Sequence, residues 1–315
     1  MGKEFKGNER LGIEKLNNQC CPMKIIEYNN ALDIVVEFQD EYKAKVHTSW
    51  DWFNKGVVKN PFAKLDEERL NNQNCPMRIV GYIDANNIIV EFQDKYKARV
   101  HTGYGNFKKG NVKNPYYTSV YGVGMVGKKY PAKINGEHTK EYKAWSAMLN
   151  RCYGKSYEHS TYQDVTCCEE WLLYDNFYEW LHSQLNFDKW FNEERWAIDK
   201  DILNKGNKIY SPKTCCLVPM NINSLFTNRS NRRGNLPIGV GINKKTNKYV
   251  AVCNSPFTNK GEHLGTYDTI EEAFRTYKQY KENIIKQVAQ IEYDKNNIIK
   301  QCYEAMLNYK VEITD

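Results

Sequence analysis

The chain has 315 residues, enough for two or three domains each with its own core, and carries 45 Lys+Arg against 38 Asp+Glu for a formal charge of +7. That modest excess fits an anionic partner without demanding one, and no apolar run approaches the ~20 residues of a membrane span, so a membrane protein is excluded as an expectation. Ten cysteines occur without any CxxC spacing and the N-terminus lacks a secretory pattern, which argues against a disulfide framework and for a cytosolic chain.

Residues 17–61 and 71–115 repeat each other without a gap. "NNQCCPMKIIEY" answers "NNQNCPMRIVGY", "VEFQDEYKAKVHT" answers "VEFQDKYKARVHT", and "GVVKNP" answers "GNVKNP". Two copies are a duplication rather than a solenoid. Short runs rich in Val, Ile, Tyr and Phe, separated by Asn- and Asp-containing turns, predict three or four strands per copy and a small barrel of the Src-homology-3-like kind. Domain limits are expected at 1–63 and 64–118. Each copy closes on a basic, Gly-containing segment, where Lys59, Asn60, Lys113 and Asn114 are candidate phosphate contacts; a solvated turn is the plainer alternative. A protein is a second partner these repeats could dock. His47 and His101, at equivalent strand positions, read as packed or hydrogen-bonded residues rather than ligands.

A Gly-rich stretch over 119–138 reads as a linker or hairpin; it lacks the GK[ST] ending of a phosphate loop. "TKEYKAWSAMLNRCY" predicts a helix burying Tyr142, Trp145, Met148, Leu149 and Cys152. "CCEEWLLYDNFYEWLHSQL" predicts a second, with Trp171, Phe177, Trp180 and Leu181 in the core. Cys152, Cys167, Cys168 and Cys215 could meet at one zinc ion, but adjacent cysteines are poor ligand spacing, and buried thiols are the expectation. Next comes "WAIDKDILNKGNKIYSPKTCCLVPMNIN", a strand–loop–strand–helix pattern with Asp199 and Asp201 at one end and Asn221 and Asn223 at the other. Paired acids before a turn can hold a metal or simply initiate the turn.

The ordered set over about 139–230, from "YKAWSAMLNRCY" through "IDKDILNKGNKIYSP" to "PMNIN", resembles phage-type proteins described as HNH endonuclease-like. That resemblance implies a ββα-metal element binding Mg²⁺ or Mn²⁺, with Asp199 and Asp201 as metal acids and Asn221 or Asn223 completing the site. It implies metal-dependent cleavage of double-stranded DNA in a bacterial cytoplasm by a homing-type or mobile-element protein. The position of the histidine general base holds Lys200. A neutral imidazole accepts a proton near pH 7, whereas an ordinary ammonium, with a pKa of about 10.4, has no free lone pair to accept one. Three accounts stay open: metal chemistry through the two acids, electrostatic help from Lys200, or an inactive site kept as a DNA-binding shape.

"FTNRSNRRGNLP" concentrates Arg229, Arg232 and Arg233, candidate phosphate clamps or minor-groove probes, or an ordinary charged linker. Beyond it, "IGVGINKK", "KYVAVCN" and "EHLGTYD" predict three strands. "TIEEAFRTYKQYKENI" predicts a helix opened by the Thr269–Glu272 capping box, with Ala273, Phe274, Tyr277, Tyr280 and Ile284 as its apolar stripe. The stretch "YDKNNIIKQCYEAMLNYKV" predicts a closing amphipathic helix. The 231–315 order resembles the Apetala-type (ethylene-response-factor) DNA-binding domain, which implies that Asn243, Lys244, Lys245, Lys248 and Tyr249 face the major groove. The expected class is therefore multidomain α+β: tandem barrel-like repeats, an HNH-like ββα element over 139–230, and a three-stranded sheet plus helix. The expected function is DNA binding with endonuclease activity; a non-cutting regulator or anti-defence protein, and a protein-binding adaptor, are the alternatives.

Overall fold

Alternation of apolar residues in "DIVVEF" puts Ile34, Val36 and Phe38 on one side of a strand, and all three are fully buried. They belong to the first of two compact units, Met1–Tyr117 and Thr118–Asp315, in a computed structural model that describes residues 8–155, 164–227 and 235–315. In the first unit each repeat is a four-stranded antiparallel meander. Strands β1 (Glu14–Leu16), β2 (Pro22–Asn30), β3 (Asp33–Phe38) and β4 (Lys45–Thr48) are followed by helix α1 (Trp50–Lys55). Strands β5 (Glu68–Leu70), β6 (Pro76–Asp84), β7 (Asn87–Phe92) and β8 (Arg99–Thr102) are followed by α2 (Tyr104–Lys108). The duplication extends to defects: the register shifts between Ile25 and Glu27 recur between Ile79 and Gly81.

The barrel expectation is corrected here. Among the described residues neither meander closes, since β1 and β4, and likewise β5 and β8, remain edges. The outer strands are too short to meet, and the short helix seals the open side instead by inserting Phe53 or Phe107, both fully buried. Burying one such ring contributes roughly 1.5–3 kcal/mol. Ser49 caps α1 by accepting the Trp52 N–H. Helix α2 is followed by Gly110 at φ 71°, where a Cβ would lie 2.6 Å from the Asn72 side-chain oxygen, so this turn requires glycine.

In the second unit the 119–138 stretch is ordered. It forms a hairpin, β9 (Lys133–Ile134) with β10 (Glu137–His138), and wraps Asp175: that carboxylate accepts the N–H groups of Lys128, Lys129 and Tyr130. Helix α3 (Lys140–Tyr153), capped by Thr139, buries Trp145, Met148 and Leu149 as its periodicity demands. Strand β11 (Thr166–Cys167) follows. The second expected helix is divided into a 3-10 turn at Glu169–Leu172 and α4 (Tyr174–His182). Met125 causes the break: its N–H donates to Leu172 and its carbonyl accepts from Tyr174, holding Leu173 extended. Helix α5 (Phe187–Asn192) leads to β12 (Trp196–Asp199), β13 (Ile209–Tyr210), β14 (Cys216–Pro219) and α6 (Met220–Leu225).

The last part has β15 (Val240–Asn243), β16 (Lys248–Ser255) and β17 (Lys260–Tyr267) in one antiparallel sheet, then α7 (Ile270–Asp294) and α8 (Lys300–Leu307). The Thr269 hydroxyl caps α7 at the Glu272 N–H, as the sequence predicts. The closing helix is shorter than expected, because α7 runs through Asp294 and the chain turns at Asn296, φ 53°, before α8 begins.

The antiparallel pair β12–β14 separates two hydrophobic cores. Cys215, Leu217, Trp196 and Ile198 pack with α3 and α4, while Cys216 and Val218 pack with Ile222, Leu225 and the inner face of α7. The expected boundary between 230 and 231 therefore falls within one core shared by α6, the three-stranded sheet and α7.

Candidate functional site

Asp199 ends β12 opposite Cys216, and the chain runs through a loop and β14 straight into α6, so the strand–loop–strand–helix order of the sequence is present. The acid is 7% exposed. One of its oxygens, Oδ1, accepts the N–H of Asp201 at 2.7 Å and of Ile202 at 2.8 Å. Burial pushes its pKa up, against the pull of those two N–H groups. This is the hydrogen bonding of an acid that initiates a turn.

Lys200 is equally buried, and its Nζ lies 2.6 Å from Asp201 Oδ1 and 2.9 Å from the Asn207 carbonyl. Asn207 answers by donating to the carbonyls of Lys200 and Ile209. The lysine at the expected base position thus ties down the loop between β12 and β13.

The two asparagines of α6 are engaged as well. Asn221 donates to Glu292 of α7 at 3.3 Å and accepts the Ile222 N–H; Asn223 directs its amide at the Met220 sulfur, 3.8 Å away. These donors do not fit a divalent cation. The Lys200 ammonium already neutralises Asp201, Asp199 commits Oδ1 to its own backbone, and among the described residues no three His, Cys, Asp or Glu side chains gather. His138 hydrogen-bonds the Ala132 carbonyl and stacks on Tyr142 with centroids 4.3 Å apart; His159 lies outside the described residues.

Cys152, Cys167, Cys168 and Cys215 line the α3–α4 core, and burial raises all four thiol pKa values, Cys152 to about 11 and Cys215 to about 12. Neutral, desolvated thiols of this kind pack as small apolar groups.

The candidate nucleic-acid contacts divide in two. Asn60 and Asn114 are buried: each donates to an aspartate, Asp40 or Asp94, at 2.6 Å, and accepts the N–H of Phe62 or Tyr116. Gln19 and Gln73 accept the Asn60 and Asn114 N–H groups, while Asn17 and Asn71 reach the carbonyls of Val58 and Val112. The two ends of each repeat recur because they bind each other. Only Lys59 and Lys113 of that quartet are exposed.

In the C-terminal sheet, Tyr249 is paired with Ile242 and Tyr267 and packs on the α7 side, so it is not an outward reader. Asn243 and Lys248 are on the opposite face, with Val250, Val252, Asn254, His263 and Thr266 placed beside them by the strand register. Lys244 and Lys245 sit on the β15–β16 hairpin, where the Asn243 side-chain oxygen accepts the Lys245 N–H. Lys248 makes an exposed ion pair with Asp268 at 2.9 Å. Sequence reasoning misses Asn254, His263 and Thr266. Period-two counting from Lys248 reaches Asn254, but His263 lies beyond a bulge that only the pairing reveals. Arg229, Arg232 and Arg233 lie outside the described residues. Comparison of the chain with protein-family models, curated proteins and solved structures yields no match.

Proposed function

We propose that this chain is a DNA-binding protein that grips the duplex with the open face and hairpin of its C-terminal sheet, and that its ββα element serves as scaffold. One observation carries the reading. Among the described residues of its unit, sheet β15–β16–β17 is covered by α7 on one side only, and its other side presents Asn243, Lys248, Asn254, His263 and Thr266 beside the Lys244–Lys245 turn. Ammonium groups supply sequence-independent attraction to phosphates, and amides, a hydroxyl and an imidazole can hydrogen-bond phosphates or base edges. The Lys248–Asp268 pair is no obstacle, since exposed pairs are worth only about 0–1 kcal/mol and a phosphate can replace the carboxylate.

The test is fluorescence anisotropy of the full chain on duplex DNA across a salt series. Affinity is expected to fall steeply with salt. Lys244→Ala, Lys245→Ala and Lys248→Ala together should weaken binding at least tenfold and flatten the salt slope by roughly 0.9 for each phosphate no longer neutralised. Salt-insensitive binding, or a triple variant that binds like wild type, would overturn the reading and favour a protein-binding role for the repeats.

Endonuclease activity is the second reading, and the ββα order of β12, β14 and α6 favours it. Supercoiled DNA incubated with Mg²⁺ or Mn²⁺ separates the two. Tight binding without nicking supports the scaffold role; nicking abolished by Asp199→Asn, in a variant that stays folded, supports cutting.

A further inference from the structure

The two repeats share a scaffold and differ on one face. Ile34, Phe38 and Phe53 answer Ile88, Phe92 and Phe107, and all are fully buried. In both copies the N–H that opens the short helix, Trp50 or Tyr104, donates to the carbonyl of Ala31 or Ala85 in the hairpin turn, so helix and turn meet.

At that meeting point the copies part. Leu32 in the turn and Trp52 in α1 are 84% and 59% exposed, and they line one depression of about 380 Å³ with Asp33, His47, Thr48 and Ser49. Their counterparts in the second repeat are Asn86 and Asn106, both exposed. The exchange recurs just past the helix, where exposed Val57 stands against Asn111. The fold does not require these apolar groups, since the second repeat is built the same way with Asn at all three positions. Left in water, a leucine and an indole side by side form a patch that gains free energy when covered. Trp52 also carries a local cost. In the second repeat the Asn106 amide donates to the Thr102 hydroxyl at 3.4 Å; with Trp52 in that place, the Thr48 hydroxyl is buried without a hydrogen-bond partner among the described residues.

The charge differs as well. Asp33 lines the depression and Asp51 precedes Trp52 in α1, where the second repeat has Asn87 and Gly105. Asn29 donates to Asp33 at 2.9 Å and His47 Nδ1 lies 3.2 Å from it; these contacts hold its pKa below the ordinary aspartate value, so it is an anion near neutral pH. Asp51 pairs with Lys55 at 2.8 Å. Exposed pairs of this kind yield readily to a competing cation, whereas a phosphate would meet two carboxylates.

We propose that this face of the first repeat docks a protein segment carrying an apolar side chain beside Lys or Arg. The apolar group covers Leu32 and Trp52, and the cation meets Asp33 and Asp51. An exposed tryptophan is the kind of residue on which such contacts centre. The surface lies in the other unit from the C-terminal sheet, and it stands whether or not that sheet holds DNA.

Selection of a displayed random-peptide library on the full chain, with counter-selection on Leu32→Asn/Trp52→Asn, tests this. That variant carries the second repeat's own residues at exposed positions, so its melting curve should match wild type. Enriched peptides should place Leu, Ile or an aromatic residue beside Lys or Arg. Synthesised and titrated calorimetrically, they should bind wild type and lose at least about tenfold in affinity for the variant. Asp33→Asn/Asp51→Asn should weaken them severalfold and flatten the salt dependence. The proposal is overturned if no peptide separates wild type from Leu32→Asn/Trp52→Asn, if the enriched peptides are acidic or uncharged, or if they bind Asp33→Asn/Asp51→Asn as tightly as wild type. A wild-type dimer in sedimentation that Trp52→Asn dissolves would overturn it too, by seating a second copy on the face. So would duplex DNA binding that Leu32→Asn/Trp52→Asn weakens, which would make the face part of the DNA grip.

Discussion

Asp199 shows how the surroundings of one side chain change its meaning. Its pKa is raised by burial, so the folded protein holds a proton more tightly there than the unfolded chain. Stability from this group therefore falls as pH rises from the ordinary aspartate range toward the raised folded pKa, and the penalty is full above it. Asp199→Asn keeps an oxygen for the Asp201 and Ile202 N–H groups and removes the charge. It should denature at higher urea than wild type at pH 7, and the difference should vanish below the ordinary aspartate pKa. Asp199→Ala orphans both N–H groups and should lose stability instead. At Asn60, removal of the amide strands Asp40 and the Phe62 N–H, so Asn60→Ala should cost about 1–3 kcal/mol in chemical denaturation. These residues look alike in the sequence to ligands and phosphate contacts, because a polar side chain that serves the protein's own backbone is chemically the same as one that serves a partner.

At the level of elements, local rules predict well wherever the local signal faces no competition. The Thr269 cap, the apolar stripe of α7 and the three C-terminal strands follow from spacing alone. Thr269→Ala should cost about 1 kcal/mol, read from the urea midpoint, by leaving the Glu272 N–H without its hydroxyl acceptor. The expected continuous helix over 167–185 fails because Met125, distant in sequence, pairs with the chain at Leu173. Tyr249 turns inward against expectation for a related reason: a strand reads as alternating, but which alternate face meets α7 depends on the packing. Tyr249→Ala should therefore lower thermal stability measurably, while the Lys244→Ala, Lys245→Ala and Lys248→Ala triple variant should melt like wild type. A scan showing the reverse would place the tyrosine outside the core.

For the whole molecule, the division lies between Tyr117 and Thr118, and the strands of the ββα element have a different core on each side. A fragment of residues 118–230 would expose Cys216, Val218, Ile222 and Leu225, and should show no cooperative melting transition by calorimetry. Residues 118–315 should melt in one transition and residues 1–117 in another. Separate melting of 118–230 and 231–315 would contradict the shared core. In the same unit the loop between β12 and β13 is closed over Lys200 and held by Asn207.

The duplication, most strands and helices, the capped start of α7 and the apolar positions are all legible along the chain, because periodicity, capping and turn chemistry act over a few residues. Long-range packing settles the rest: the repeats are open meanders, one strand pair divides two cores, and Asp199, Lys200, Asn60 and Asn114 look inward. Those outcomes depend on groups far apart in sequence competing for the same hydrogen bonds and the same dry volume, and no local pattern records who wins.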